Sequence, residues 1–207
     1  MNIAIIGAGN VGQALADGWA AKGHGVSFGV RNPESAEAGA VDRTTFKVLG
    51  NAQAAAGAEV VVLATPWPAT RDAIAACGSL AGKIVLDATN PLLPNLGGLE
   101  IGHTTSGGET VAQWAAGARV VKIFNTTGFN NMSNPAYGSE RASMLYCGDD
   151  APAKTTAAAL AADLGFDPVD CGPLLHSRYL ENIAMMWIWL AVKGGLGRDV
   201  AWKLLRR

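Results

Sequence analysis

The sequence predicts an α/β fold in which helices cover both faces of a mainly parallel, doubly wound sheet, with a short C-terminal helical extension. Strand and helix patterns alternate over most of the 207 residues. The strand segments are short, almost wholly apolar and rich in β-branched residues, which is typical of parallel strands buried on both faces. A glycine-rich turn joins the first strand to the first helix, as is common in such sheets.

The first elements follow from local patterns. NIAII is an apolar run that Gly7 ends, and it predicts the first strand. VGQALADGWAAKG has helical spacing, because Val11, Leu15 and Trp19 fall on one face. GVSFGV predicts the second strand, and EVVVLAT, KIVLDAT, ARVVKIFN and SMLYCG continue the series of strands.

The last third of the chain is predicted to be mostly helical. DAPAKTTAAALAADLG is an alanine-rich helix, with Asp149 or Asp150 as its N-cap and Gly165 at its C-terminal end. FDPVDCG is the last predicted strand. The pattern is helical from Leu174 onward, so residues 174–207 are expected to be helices that pack on the sheet or at a dimer interface.

We predict a single domain over residues 1–207, because no repeat or low-complexity linker interrupts the pattern. One long irregular segment, Asn90–Glu109, is rich in Gly, Pro, Asn and Thr. Since it follows a strand, we expect it near the carboxyl edge of the sheet, where ligands bind in this fold class.

Composition argues against several classes of protein. Hydrophobic residues make up 49% of the chain and charged residues 16%, so a large core is predicted rather than disorder. The net charge of -1 favours neither a nucleic-acid partner nor a membrane partner. Cys77, Cys147 and Cys171 form no CxxC pair, so we expect buried thiols, no metal site and a reducing compartment.

The N-terminus shows no leader pattern, since Met1 runs directly into NIAIIG without a basic region or a cleavage site. The most apolar stretch, Ile183–Val192, is shorter than the roughly 20 residues that span a bilayer. We therefore expect a cytoplasmic protein.

The turn GAGNVG places Gly7, Gly9 and Gly12 at GxGxxG spacing. The first glycine permits a tight turn, the second lets backbone approach a pyrophosphate, and the third lets the helix pack on the strand. A strand before the turn, a helix after it and a second strand at the right distance complete the Rossmann-like context. We predict a bound dinucleotide, and the alternative is a tight turn without a ligand.

The end of the second strand indicates which dinucleotide is bound. An NAD site has an acidic residue here for the ribose 2′-hydroxyl, but the segment FGVRNPES has Arg31 instead. A guanidinium can pair with a 2′-phosphate, so we predict NADP(H). The alternative is a solvated surface arginine.

Several motifs together resemble one family. IIGAGNVG, GVRNP, VVVLATPW, IVLDATNPL, VVKIFNTTG, CGDDAPAK and GPLLHSRYLE occur in the order found in the NADP oxidoreductase, coenzyme F420-dependent family. That family includes NADPH:F420 oxidoreductases and the cytoplasmic domain of the STEAP metalloreductases. The resemblance runs from Asn2 to Ile188 and implies hydride transfer between NADPH and a small redox partner: coenzyme F420 or a flavin such as FMN or FAD.

The resemblance also implies which residues hold the cofactor. The turn residues hold the pyrophosphate, Arg31 holds the 2′-phosphate, and Thr65–Trp67 lie beside the nicotinamide. Asn90–Pro91 and Phe124–Thr126 close the site where the flavin-like partner stacks. The expected cofactor-binding residues are Gly7, Ala8, Gly9, Asn10, Val11, Gly12, Arg31, Asn32, Thr65, Pro66, Trp67, Asn90, Pro91, Phe124, Asn125 and Thr126.

The sequence departs from the archaeal members of the family at two places. They tend to have a serine before the arginine and more basic residues after it, whereas this chain has Val30 and NPES, which indicates a thinner 2′-phosphate site. The segments DATNPL and KIFNTTG are closer to the bacterial and STEAP-like branch, so F420 and ordinary flavins both stay open as acceptors.

No catalytic acid or base is expected, because hydride transfer between stacked rings needs placement and exclusion of water. His103 is a candidate contact of the site, and His176 is expected at a helix start. Arg178 and Glu181, at i,i+3 spacing, could pair with each other, most simply as a structural pair that locks the last helix against the sheet. Trp67 either shields the nicotinamide or packs at the strand end.

Two alternative functions stay open on the sequence alone. One is an NADPH-dependent reductase of a small organic carbonyl or imine, as in the β-hydroxyacid dehydrogenases. Those enzymes share the N-terminal fold, but they have a longer helical domain with a catalytic lysine and a nearby asparagine, and few residues follow Leu174 here. A redox sensor that binds NADP(H) without turnover is the other alternative. The helix ENIAMMWIWLAVKGG is apolar almost all round, which predicts a buried helix, either in a homodimer interface or in the core beneath the sheet.

Overall fold

The computed structural model describes residues 1–35 and 39–207. The strands of these residues, in chain order, are β1 (Asn2–Ile6), β2 (Gly25–Val30), β3 (Lys47–Gly50), β4 (Val60–Leu63), β5 (Ile84–Asp87), β6 (Arg119–Lys122), β7 (Ala136–Tyr137), β8 (Glu140–Arg141), β9 (Ser143–Gly148) and β10 (Asp167–Asp170). The helices are α1 (Asn10–Ala21), α2 (Asn51–Ala56), α3 (Trp67–Ala76), α4 (Gly107–Trp114), α5 (Phe129–Ser133), α6 (Ala151–Asp163) and α7 (Ser177–Ile188). Single 3₁₀ turns lie at Pro94–Leu96 and Leu174–His176, and a π turn at Trp189–Lys193 extends α7.

The main sheet has the strand order β3-β2-β1-β4-β5-β6-β9-β10. The first six of these strands run parallel, β9 is antiparallel to β6, and β10 is parallel to β9. The predicted doubly wound α/β fold is therefore confirmed. The direction of winding reverses between β1 and β4, and the carboxyl ends of strands at such a point form a ligand-binding crevice.

Both faces of the sheet are buried, which explains the apolar strand sequences. Along β1, Ile3 and Ile5 belong to one core, while Ala4 and Ile6 belong to the other. The first core includes residues of α1 and α6, and the second includes residues of α2, α3 and α4. Because successive side chains of a strand point to opposite faces, a strand covered on both sides needs an unbroken apolar run.

The helix caps are partly as predicted. Asp150 is the N-cap of α6, and its side chain accepts the N–H of Ala153 at 2.8 Å. Gly165 follows the helix with a φ of 95°, a left-handed conformation that glycine adopts without steric cost. The irregular segment is shorter than the predicted Asn90–Glu109, because Ser106 caps α4 and the last three residues form its first turn.

The C-terminal extension is less helical than predicted. The helical region that begins at Leu174 ends at Lys193. Gly195 and Gly197 then have φ values of 78° and 76°, which end a right-handed helix. The chain continues as an irregular segment, and the carbonyl of Trp202 accepts the N–H of the first residue of β9 at 2.8 Å.

In the single chain, the core covers only one face of α7 and of the π turn that extends it, so burial of the other face in a homodimer interface stays a prediction. Leu180, Ala184 and Trp187 are buried, whereas Met186 and Trp189 are about half exposed, at 53% and 50%. Within the described parts of the chain, no helix has both the length and the apolar character that crossing a bilayer requires.

Candidate functional site

The glycine turn after β1 has the geometry that a dinucleotide turn needs. Gly7 has a φ of 113°, and a Cβ there would lie 2.6 Å from the carbonyl oxygen of Ala64. A Cβ on Gly12 would collide with the carbonyl of Gly7. A Cβ on Gly9 would meet nothing within 4 Å. The two outer glycines are therefore required by packing, and the turn is open at the middle one.

The N-terminus of α1 faces this open position. Gly9 is the N-cap with an extended backbone, and no side chain caps the first turn. The N–H groups of a first turn have no partners within the helix, and they attract anions. The Ala8 carbonyl is already used, since it accepts the side-chain amide of Gln13 at 2.8 Å. These residues fit a pyrophosphate held by backbone N–H groups beside Asn10 and Val11.

Arg31 lies directly after β2, beside the turn. The N–H of Gly7 donates to the carbonyl of Gly29 at 3.0 Å, which ties the turn to the end of β2. Arg31 is exposed, and its guanidinium forms no ion pair with any described residue. Asn32 is also exposed, but its Oδ1 accepts the N–H of Glu34 at 3.1 Å. The Asn32 side chain therefore stabilises the local turn.

A second guanidinium lies close to this segment and was missed in the sequence. Arg43 donates a hydrogen bond to the carbonyl of Pro33, two residues after Arg31. Its loop is held by Asp42, whose side chain accepts hydrogen bonds from the hydroxyls of Thr44 and Thr45. These bonds lower the pKa of Asp42. Arg43 adds the positive charge that the segment NPES lacks, and only the fold brings it to this place.

The segments that follow β5 and β6 meet through a pair of asparagines. The Asn90 side-chain amide donates to the Asn125 carbonyl at 2.9 Å, and the Asn125 amide donates to Asn90 Oδ1 at 3.0 Å. Asn125 Oδ1 and Thr126 Oγ1 are buried without a hydrogen-bond partner among the described residues. Because an unpaired buried polar atom is costly, this pair of atoms is a natural place for a ligand or a water to bind.

The side chain and the backbone of Phe124 have different surroundings, and the role of this residue in the site stays a prediction. Its backbone has a φ of 66°, but its side chain is buried and packs edge-on against Trp19, with ring centroids 5.6 Å apart. The aromatic ring thus belongs to the core, and only its backbone lies with the site segments. The positive φ turns the chain so that Asn125 and Thr126 follow at the end of β6.

The segment Thr65–Trp67 lies next to the glycine turn. A Cβ on Gly7 would be 3.3 Å from Thr65 Cγ2, and Thr65 Oγ1 is 2.9 Å from Thr70 Oγ1. Trp67 is 7% exposed and stacks on Trp114, with ring centroids 5.1 Å apart and an angle of 28° between the planes. Trp67 thus packs at the strand end, and its role as a shield of the nicotinamide stays a prediction.

A fully buried cluster of charges lies beneath the site, and the sequence analysis missed it. Lys122 Nζ is 3.0 Å from Asp87 Oδ2 and 2.9 Å from Glu181 Oε1, and it donates to the Thr89 carbonyl at 2.7 Å. Burial alone would lower the pKa of Lys122, but the two carboxylates outweigh it and raise that pKa. Asp87 Oδ1 also accepts the N–H and the hydroxyl of Thr89. The cluster therefore fixes the start of the segment that carries Asn90.

The predicted pairing of Arg178 with Glu181 is wrong. Arg178 instead forms two hydrogen bonds to Glu109, at 2.7 and 2.8 Å. Glu181 accepts the N–H groups of Gly107 and Gly108, both at 3.0 Å, and thereby caps α4. A buried ammonium and a helix N-terminus are stronger partners for Glu181 than a half-buried arginine on its own helix. The helix α7 is still locked against the sheet, but through these other contacts.

The structure places His176 as predicted, but it does not bring the ring of His103 to the site. His176 is at the start of α7, as predicted, and its Nδ1 lies within hydrogen-bond distance of the Cys171 carbonyl. His103 is exposed, and its carbonyl accepts a long, 3.5 Å hydrogen bond from Arg178. His103 therefore lies beside α7, and no described contact brings its ring to the asparagine pair.

Comparisons with known proteins agree with this geometry. The family model for the NADP oxidoreductase, coenzyme F420-dependent family matches residues 2–91. A structure from Arthrobacter sp. FB24, provisionally assigned as an F420-dependent NADP-reductase, is 33% identical with a TM-score of 0.91, and the match covers 100% of both chains. A hypothetical protein from Sinorhizobium meliloti is 27% identical with a TM-score of 0.78, covering 100% of this chain and 96% of that one.

The chain is also similar to a curated metalloreductase and to a more distant NADPH-binding structure. The metalloreductase STEAP3 of Rattus norvegicus is 28% identical over 184 residues, which are 88% of this chain and 36% of that protein. The chain thus spans about a third of the length of that relative. A reductive aminase from Aspergillus terreus in complex with NADPH is 21% identical with a TM-score of 0.68, covering 94% of this chain and 62% of that one, and shows the fold alone.

The fold, the open glycine turn and these similarities place the chain in a class of NADP-dependent oxidoreductase families. More narrowly, the chain belongs to the NADP oxidoreductase, coenzyme F420-dependent family.

Proposed function

We propose that this protein transfers hydride between NADPH and a flavin-like acceptor, either coenzyme F420 or a flavin such as FMN or FAD. The observation that carries the proposal is the open turn at Gly9, which has an uncapped helix behind it and two guanidinium groups at the end of the neighbouring strand. The relative from Arthrobacter, similar over its whole length, is provisionally assigned as an F420-dependent NADP-reductase, which supports the same class of acceptor.

Each part of the site has a role in this function. The N–H groups of the turn bind the pyrophosphate, and Arg31 binds the 2′-phosphate. The segment Thr65–Trp67 and the pair Asn90–Asn125 enclose the nicotinamide end and exclude water. When bound, NADPH supplies a hydride from C4 that reduces N5 of a flavin or C5 of a deazaflavin, while solvent supplies the accompanying proton. No protein acid or base is needed for that step.

The first experiment is anaerobic mixing of the protein with NADPH and, in parallel, coenzyme F420, FMN and FAD, followed by the loss of absorbance of the reduced nicotinamide. Fast, protein-dependent loss with F420 alone identifies an NADPH:F420 oxidoreductase, and loss with FMN or FAD identifies the flavin-using branch. Binding of NADPH without turnover on any of the three would contradict the proposal and favour the redox sensor.

We also propose that two copies associate through the exposed face of α7 and its extension, defined by Tyr179, Met186, Trp189 and Val192. These side chains are 64%, 53%, 50% and 46% exposed. Large apolar and aromatic side chains grouped on one face are typical of protein interfaces. A cytoplasmic location belongs to the same proposal and is supported by the three free cysteines.

A further inference from the structure

A groove of about 690 Å³ lies between the start of α3, the segment after β5, and α4. Its apolar lining includes the stacked pair Trp67 and Trp114, together with Leu92, Leu93 and Ile101. Pockets of this size, lined mainly by apolar and aromatic side chains, are typical binding sites for small molecules.

The position of the groove links it to the cofactor segments. Trp67 directly follows Thr65–Pro66, and Leu92 directly follows Asn90–Pro91. Both walls are therefore continuations of segments that, in the proposed function, surround the nicotinamide end. A molecule that stacks on the nicotinamide and extends outward would enter this groove.

Two charged side chains also line the groove. Arg71 and Glu100 are both exposed, and neither forms an ion pair with a described residue. An apolar groove with an unpaired guanidinium matches a planar aromatic molecule that has an anionic tail. Glu100 repels such a tail, so the anion is directed toward Arg71.

We propose that this groove binds the redox acceptor, with the ring system against the apolar wall and the phosphate of its tail on Arg71. The inference rests on the proposed function, since it concerns the second substrate of the same reaction. FMN and coenzyme F420 both have a phosphate in the tail, whereas riboflavin has the ring of FMN and no phosphate. The comparison of FMN with riboflavin therefore isolates the contact with Arg71.

The test measures the binding of FMN, riboflavin and coenzyme F420 to the protein saturated with NADP⁺, by calorimetry or flavin fluorescence. We expect FMN to bind about tenfold more tightly than riboflavin, which is typical of one charge-assisted contact at a partly exposed site. Arg71→Ala should remove this difference and weaken F420 binding by a similar factor. Leu93→Asp, at a side chain that is 40% exposed, should weaken all three without unfolding the protein.

The matched control is Arg141→Ala, at an exposed arginine on β8 that does not line the groove. It should leave all three affinities unchanged, and NADP⁺ binding should be unchanged in every variant. If FMN or F420 binds but neither Arg71→Ala nor Leu93→Asp changes its affinity, the groove is not the acceptor site, while the proposed function stands. If NADP⁺ binds and none of the three molecules does, the proposed class of acceptor is itself wrong.

Discussion

In the proposed function, the preference for NADPH over NADH depends on the side chain of Arg31, directly after β2. Arg31→Ala should weaken NADPH binding by about 10- to 100-fold, because it removes a charge-assisted contact to the 2′-phosphate. NADH has no such phosphate, so its affinity should change by less than about threefold. Arg43→Ala should give a smaller loss of the same kind. Fluorescence titration of both nucleotides checks the prediction, and equal losses for NADPH and NADH would refute it.

The burial of two cysteine side chains leads to a prediction about the reactivity of their thiols. Burial raises the pKa of Cys77 and of Cys147 to about 11. At pH 8, about one such thiol in a thousand is ionised, and the thiolate is the reactive form. Both should react slowly with Ellman's reagent in the folded protein, and all three cysteines should react quickly in guanidinium chloride. Two or more thiols reacting within seconds in the native protein would contradict this.

Local sequence predicted the roles of residues within one turn, but it did not predict contacts between residues that are far apart in the chain. The roles of Gly7, Gly9 and Gly12 follow from their spacing, because the turn is built from six consecutive residues. The partners of Glu181 do not follow from its neighbours, since Lys122 and Gly107 lie far away in the sequence. Arg43 was missed for the same reason.

At the scale of elements, the buried cluster joins β5, β6, α4 and α7. Lys122→Met should destabilise the protein by about 3–5 kcal/mol, because it leaves Asp87 and Glu181 buried without their cation. The free energy of unfolding in urea measures this loss. A double variant, Lys122→Met with Glu181→Gln, should recover part of it, because one uncompensated charge is removed. A single variant as stable as the wild type would show that the cluster does not hold these elements together.

The raised pKa of Lys122 makes the free energy of unfolding depend on pH. A lysine whose pKa in the folded protein is above its ordinary value of 10.5 stabilises the fold fully below that value. This contribution is lost as the pH rises through the higher, folded-state pKa. The difference in unfolding free energy between wild type and Lys122→Met should therefore be constant from pH 6 to pH 9 and shrink above about pH 10.5. If the difference between wild type and Lys122→Met grew at high pH, the folded-state pKa of Lys122 would not be raised.

Most central strands could be predicted because an apolar run identifies a strand buried on both faces. The edge strand β3 was missed, because Lys47–Gly50 is short and has no such run. The irregular end of the chain was mistaken for helix, since the apolar spacing of its last residues outweighed the glycines at positions 194, 195 and 197. The capping sequence that begins at Ser106 contained the signal that would have placed the start of α4 correctly.

At the scale of the whole molecule, the exposed apolar face of α7 predicts a dimer. The protein should sediment as a dimer at micromolar concentration, and Met186→Glu should shift it toward monomer, because a charge would be buried in the interface. The matched control is Leu205→Glu, at a side chain that is 75% exposed outside this face. A wild-type monomer at micromolar concentration would contradict the dimer.

The overall fold was predictable from the sequence, but the groove proposed as the acceptor site was not. The class of the fold follows from the alternation of strands and helices and from the glycine turn, whereas the antiparallel pairing of β9 with β6 does not. The groove, in contrast, combines α3, the segment after β5 and α4, and no single stretch of sequence contains it. Its aromatic lining depends on the stacking of Trp67 on Trp114, which are far apart in the sequence.

Hydride transfer itself is measured most directly with NADPH that carries deuterium at both C4 positions. Under anaerobic single-turnover conditions with coenzyme F420, we predict deuterium at C5 of the reduced deazaflavin and a slower reaction than with unlabelled NADPH; with FMN, we predict the same slowing. Reduced F420 with hydrogen from solvent at C5, or no reduction of either acceptor, would contradict direct hydride transfer by this protein.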